Sequence, residues 1–269
     1  AATLRAHSAG RPMAGPYVLG LSSGASLGVA IVILGFSSVF SPESSGGLGN
    51  WAIAAASWLG AGSVMLLIMM ISARVKNIMT VLILGIMLSS AISAVVSIMQ
   101  YFSSETMLKS YVIWTMGSLG NLTSGQLKVM TASIATGAIL SLISVKMLNA
   151  LLLGEDYALS IGLEVKTSRN IIIAGTSILA GTVTAFCGPI GFIGIAVPHL
   201  ARLIFRTADH RVLIPASILT GSIIMLGSDI VSQLPGSDTV LPVNAVTALI
   251  GIPVVIWVIL QNQKSREIF

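Results

Sequence analysis

Charge is scarce in this chain. Asp, Glu, Lys and Arg make up 9% of its 269 residues, against roughly 25% in a soluble domain, so the polar surface that water demands is missing. With 55% of residues hydrophobic, the composition excludes a soluble globular protein and places the chain in lipid. Cysteine is limited to Cys187, which excludes an intramolecular disulfide and supplies no metal-site spacing. No G-x-x-x-x-G-K-[ST] phosphate loop and no H-E-x-x-H pair occurs, so any ATP that drives this protein is bound by another polypeptide. Four Trp and four Tyr are too few to carry an argument. No basic patch is interleaved with them, and nucleic acid is not expected as a partner.

What the chain has is long apolar runs. Taking about 20 mainly apolar residues as one span, eight lie near 17–37, 51–73, 77–101, 126–149, 170–187, 189–205, 212–231 and 241–260. The fold class is therefore all-α, a polytopic helical bundle forming one transmembrane domain over 1–269. Only Cys187 and Gly188 separate the fifth and sixth spans, which demands a tight turn and makes one of the two short or partly re-entrant. Orientation follows from the retention of Lys and Arg on the cytoplasmic side. Twelve of the fourteen basic residues share one side: Arg5, Arg11, Arg74, Lys76, Lys146, Lys166, Arg169, Arg202, Arg206, Arg211, Lys264 and Arg266; Lys109 and Lys128 fall opposite. Both chain ends are then cytoplasmic. Stretches 38–50, 102–125 and 232–240 become short outer connections. Inside, 150–169 alternates leucines with Glu155, Asp156, Glu164, Lys166 and Arg169. That pattern predicts short amphipathic helices broken by Gly154 and Gly162, either a docking surface or a loop lying on lipid headgroups.

Residues 188–203, GPIGFIGIAVPHLARL, are the most telling run. Gly188, Gly191 and Gly194 would each cost a helix in water about 1 kcal/mol, whereas in a membrane they let helices approach closely. Gly20, Gly24 and Gly28 make a G-x-x-x-G-x-x-x-G face of the same kind. The pentapeptide at 20–24 also fits G-x-S-x-G, with Ser22 as nucleophile and His199 as base, but a nucleophile elbow needs a strand and a sharp turn. Here it sits in an apolar helical run, and packing is the better reading. His199 is read as a hydrogen-bonded structural residue, and His7 and His210 as solvated. Asp229 is the one acid within an apolar segment, a functional candidate by default; near the outer end of its span it is better placed for a structural hydrogen bond. Gly15-Pro16 and Gly188-Pro189 open spans of opposite direction, the mark of an inverted repeat. The polar start, AATLRAHSAGRPMAG, carries no apolar signal region and points to further sequence upstream.

Six runs in order, GPYVLGLSSGASLG (15–28), WTMGSLG (114–120), LLLGEDYALSIGL (151–163), GPIGFIGIAVPHLARL (188–203), DHRVLIP (209–215) and LPVNAVTALIGIPVVIWVIL (241–260), resemble the permease subunits of the FecCD family. Those serve ABC importers of iron-siderophores, haem and vitamin B12. The resemblance implies ten spans in the complete fold, of which these would be the last eight. It implies a homodimer around one pathway, two cytoplasmic ATPase subunits that bind ATP and Mg, an extracytoplasmic substrate-binding protein, and alternating access in the cytoplasmic membrane. By resemblance the 150–169 loop holds the coupling helices, with Leu152, Leu153, Gly154, Glu155, Asp156, Ala158, Ile161 and Gly162 against the ATPase. The pathway spans offer Met87, Ser90, Ser93, Ser97, Asn244 and Thr247. Gln233 stands where many relatives carry a binding-protein arginine, and Arg11-Pro12-Met13-Ala14 departs from the family pattern. No catalytic residue, metal or cofactor is expected in this chain. Iron-siderophore or haem is the first expectation for cargo, with cobalamin close behind. An ion-coupled carrier using Asp229 and an intramembrane hydrolase are the alternatives.

Overall fold

The computed structural model describes residues 20–35, 46–72, 78–120, 122–233 and 240–267. Among these residues every regular element is helical. They are α1 (Leu21–Ala30), which runs on into a π-helical turn (Ile31–Gly35), then α2 (Gly46–Ser72), α3 (Ile78–Phe102), α4 (Glu105–Met116), α5 (Ser124–Leu152), α6 (Glu155–Ser160), α7 (Val165–Cys187), α8 (Ile193–Phe205), α9 (His210–Ser232) and α10 (Val243–Glu267). In lipid no water satisfies a bare N–H or C=O, and a helix closes those bonds within itself. Helices α2, α3, α5, α7 and α9 are each long and apolar enough to cross a membrane. The Gly15-Pro16 step, Arg5, His7, residues 11–14, Arg74 and Lys76 lie outside the described residues.

Two expectations need correction. The stretch 102–125 is not merely a connection, because it contains α4. Met107, Tyr111 and Trp114 recur there at helical spacing and pack on a cluster that includes Ala30, Val64, Ile92 and Val96. The Trp114 Nε1 donates to the Ala185 carbonyl (3.0 Å). An i, i+4, i+7 stripe is a helix face, hidden in the sequence by the Ser, Thr and Lys around it. The sixth span is also shorter than 189–205. Helix α8 has 13 residues, a length of about 20 Å against a hydrocarbon core of about 30 Å. Residues 188–192 are not helical; they turn the chain, with φ 79 at Gly188 and φ 62 at Phe192. A Cβ on Gly188 would stand 2.5 Å from the Trp114 carbonyl oxygen.

Helix α1 touches α2 backbone to backbone. A Cβ at Gly24 would lie 2.5 Å from the Gly60 carbonyl oxygen, and one at Gly28 2.0 Å from that of Ala56. On its other side α2 bonds to α7: Ser57 Oγ donates to the Gly181 carbonyl (2.8 Å) and Trp58 Nε1 to Thr182 Oγ1 (2.8 Å). Such interhelical bonds in membranes are worth about 1 kcal/mol. Trp58→Phe is expected to lower the unfolding free energy measured by SDS titration by that amount, and to lower it by less in a Thr182→Val background.

Helices α1 and α8 are inverted counterparts. Gly20, the N-cap of α1 (φ 75), lies against Gly85 and Ser89 of α3, roughly 10 to 16 Å into that helix. Phe192, the N-cap of α8, lies against Gly251 of α10, where a Cβ would stand 2.6 Å from Phe192 Cβ, roughly 12 Å in. Helix α3 ends and α10 begins beside α4, where Gly117 approaches Asn244. Thus α1 and α8 start inside the bundle from opposite ends, as an inverted repeat requires.

Candidate functional site

At the end of the bundle that carries Lys146, Lys166, Arg169, Arg202, Arg206 and Arg211, the chain between α5 and α7 stands out. Helix α5 stops at Leu152, α6 makes one and a half turns, and α7 begins at Val165. The breaks are Gly154 at φ 112 and Gly162 at φ 81, positive-φ conformations that cost a residue with a Cβ about 1–3 kcal/mol. Nothing lies within 4 Å of a Cβ at either position, so glycine serves the backbone angle there and not a close contact. Ala158 is fully buried and pins α6 to the bundle; its N–H donates to the Gly154 carbonyl (3.1 Å) and its carbonyl accepts from Leu163 N–H (3.0 Å).

The rest of the segment faces outward. Leu152, Leu153, Tyr157, Leu159 and Ile161 are all exposed, Leu153 by 68% and Leu159 by 58%. Five large apolar side chains within ten residues stand exposed at the end of the bundle that carries the basic residues, a patch of the kind that meets a protein partner or a membrane surface. Glu155 pairs with Arg169, an exposed contact worth at most about 1 kcal/mol, and Asp156 is exposed in the first turn of α6. Tyr157 and Leu159 were not among the expected contact residues.

The pathway candidates divide. Met87, Ser90, Ser93 and Ser97 are exposed on α3, and Ser93 joins Ser22, Ser23, Ser26, Tyr111 and Thr115 around a cavity of about 180 Å³. No charged side chain lines it. The α10 residues are turned to internal work: Asn244 Oδ1 accepts the Gly191 N–H (3.2 Å), and Thr247 is fully buried with its hydroxyl donating to the Asn244 carbonyl (3.1 Å). The glycines divide as well. Gly20, Gly24, Gly28 and Gly188 sit in close contacts and Gly191 is buried, but Gly194 is exposed with nothing within 4 Å of its Cβ position.

The remaining candidates have local roles. His199 Nδ1 bonds to the Ile195 carbonyl (2.9 Å), and Asp229 Oδ2 accepts from Gln233 Nε2 (2.9 Å). Ser22 lies in the first turn of α1; with no strand among the described residues, the elbow geometry of a hydrolase is absent from them. His210, expected to be solvated, is part-buried with its ring against Asn149. Among the described residues no group of His, Cys, Asp and Glu is placed to hold a metal.

Comparison with known proteins gives concordant matches. A model described as the FecCD transport family matches residues 11–261. The vitamin B12 import system permease protein BtuC of Klebsiella pneumoniae is 34% identical over 253 residues, which cover 94% of this chain and 73% of that protein. Its counterpart in Escherichia coli O9:H4 is 35% identical over 254 residues, covering 94% and 74%. Among solved structures, an inward-facing conformation of an ABC transporter assigned to the metal-chelate type superposes with a TM-score of 0.76 at 27% identity, covering 96% of this chain and 80% of that one.

Proposed function

The chain belongs to the FecCD transport family as a membrane-embedded permease subunit of an ABC importer, and from that premise we propose that residues 152–162 dock the partner ATPase while a metal chelate crosses beside α3. The carrying observation is the apolar coupling segment, exposed at the basic end of the bundle and set between two glycines that only a positive φ explains. In this reading two copies of the permease enclose the pathway, two ATPases bind ATP and Mg on the cytoplasmic side, and an external binding protein delivers cargo near Gln233. Both chain ends face the cytoplasm, because positive residues are retained there. Closing of the ATPases draws the coupling segments together, and the bundle alternates between outward and inward access. The permease itself makes and breaks no covalent bond.

The cargo is a bulky metal chelate, an iron-siderophore, a haem or a corrinoid. The vitamin B12 permeases and the metal-chelate transporter it resembles support that class. The exposed Met87, Ser90, Ser93 and Ser97 present soft or hydroxyl groups with no fixed charge, so a large chelate meets no point at which it is held by an ion pair. The test is reconstitution of the permease with its ATPase and binding protein in vesicles. Uptake of radiolabelled cobalamin or ferric siderophore is expected to require internal or external ATP on the ATPase side and to be indifferent to ion gradients. Gradient-driven uptake without ATP or ATPase would instead make it a secondary carrier.

A further inference from the structure

The segment Asp209-His210-Arg211 stands out in the sequence, yet docking and the pathway leave it without a task. It lies in the turn between α8 and α9. Asp209 is the N-cap of α9: its Oδ1 accepts the Arg211 N–H (2.9 Å), and its own N–H donates to Thr207 Oγ1 (3.1 Å). The same Oδ1 accepts a short bond from Asn149 Nδ2 (2.6 Å). The Arg211 and Asn149 bonds hold the Asp209 carboxyl below the usual carboxylate range, so it is the charged form that Asn149 meets.

Asn149 sits on the last turn of α5, three residues before Leu152 and the coupling segment. Its Oδ1 accepts two further bonds, from the His210 backbone N–H (2.9 Å) and from His210 Nδ1 (2.8 Å). With the amide nitrogen committed to a carboxylate, Oδ1 can only accept, so the His210 proton must be on Nδ1. One carboxamide thus makes three bonds to a turn 60 residues away, and each fixes the orientation of the others. Beyond that turn, Leu213 and Ala216 of α9 pack on Ala201 of α8. The other end of α8 is Phe192, lodged against Gly251 of α10.

We propose that Asn149, with Asp209 and His210, is a bracket that carries displacement of the coupling segment from the end of α5 into α9 and α8, making Asn149 a positioning residue for transport that touches neither ATP nor cargo. The proposal rests on residues 152–162 being the ATPase dock. Without the bracket, α5 bends alone and the turn at the head of α9 stays behind. Coupling is then lost while docking survives, because Asn149 is not among the exposed apolar contacts of 152–162, and three of the five, Tyr157, Leu159 and Ile161, lie on the far side of Gly154 from the bracket.

The test uses the complete complex with ATPase and binding protein in vesicles, reading ATP hydrolysed and cargo transported together, with folded complex quantified by size exclusion. Asn149→Ala is expected to keep the ATPase bound and hydrolysing while cargo moved per ATP falls about tenfold. Asn149→Asp sets a carboxylate against Asp209 and is expected to fall as far. Adding Asp209→Asn exchanges donor and acceptor, so the new carboxylate at 149 still accepts from His210 and accepts from the new amide at 209; because the same atom of Asp209 also caps the Arg211 N–H, and an NH2 group cannot, transport is expected to return in part. Unchanged coupling in Asn149→Ala, or a folded exchange variant no better than Asn149→Asp alone, overturns the bracket. A wild-type permease that binds no ATPase overturns the docking assignment and the bracket with it, whereas wild-type coupling with an indifferent Asn149 overturns the bracket alone.

Discussion

A Gly28→Leu variant is expected to leave no folded permease to extract from the membrane. The Cβ alone would stand 2.0 Å from the Ala56 carbonyl oxygen, where a carbon settles at roughly 3.3 Å or more. Overpacked cores usually lose about 1–3 kcal/mol because side chains give way. Here the obstacle is backbone, and Gly24 and Gly60 meet the same way one turn along, so relief requires α1 and α2 to separate along their whole contact. The expected loss exceeds that range and is a large part of a total stability of about 5–15 kcal/mol. Size exclusion after detergent extraction should show only aggregate or nothing. Gly194→Ala is the control: it has open space around it, and its effect should stay within about 0.5 kcal/mol. A monodisperse Gly28→Leu protein with native helicity would show that α1 is not held by this contact.

The contrast between those two glycines shows what can be read from residues alone. Spacing by four on a helix puts Gly20, Gly24 and Gly28 on one stripe, and a stripe of missing side chains has one physical use in lipid, close approach. Gly188, Gly191 and Gly194 are as numerous and as apolar in their surroundings, but they do not share a helix, since α8 starts at Ile193. What stops it starting earlier is Phe192 at φ 62, a conformation no bulky residue prefers and one held in place by contact with Gly251, far along the chain. Tertiary contact overrides local preference there, and no pattern in 188–203 could announce it. Helix α4 failed to show for the opposite reason: its periodicity was present, in Met107, Tyr111 and Trp114, but short and diluted by polar neighbours.

The candidate site was legible where the backbone needs glycine and the side chains alternate, at 150–169. It was illegible where it depends on one amide. Asp209 before a helical run is an N-cap signal, and the cap is what the structure contains, but nothing in the neighbourhood of Asn149 points to a partner 60 residues on. The same holds on α10. Asn244 and Thr247 look like polar groups offered to a pathway, and only their neighbours in space, Gly191 and the Asn244 carbonyl, show them turned inward.

Leu153→Asp combined with Leu159→Asp is expected to abolish transport by a route distinct from misfolding. Both side chains are more than half exposed, so the permease loses little packing and should be extracted and elute as wild type. Burying a leucine at an interface contributes about 1.5–3 kcal/mol, and two such losses weaken ATPase binding by ~100-fold or more, before the cost of bringing two carboxylates into the interface. Pull-down of the ATPase should fall to background, with cargo uptake falling alongside. Gly162→Val separates docking from transmission. There is space for the side chain, but holding φ near 81 costs it about 1–3 kcal/mol, so α6 should swing relative to α7. The ATPase is then expected to bind and hydrolyse ATP while less cargo moves per ATP. If the double aspartate variant still captures the ATPase at the wild-type level, the exposed apolar face of 152–162 is not the dock; the partner must then engage another surface at the basic end of the bundle.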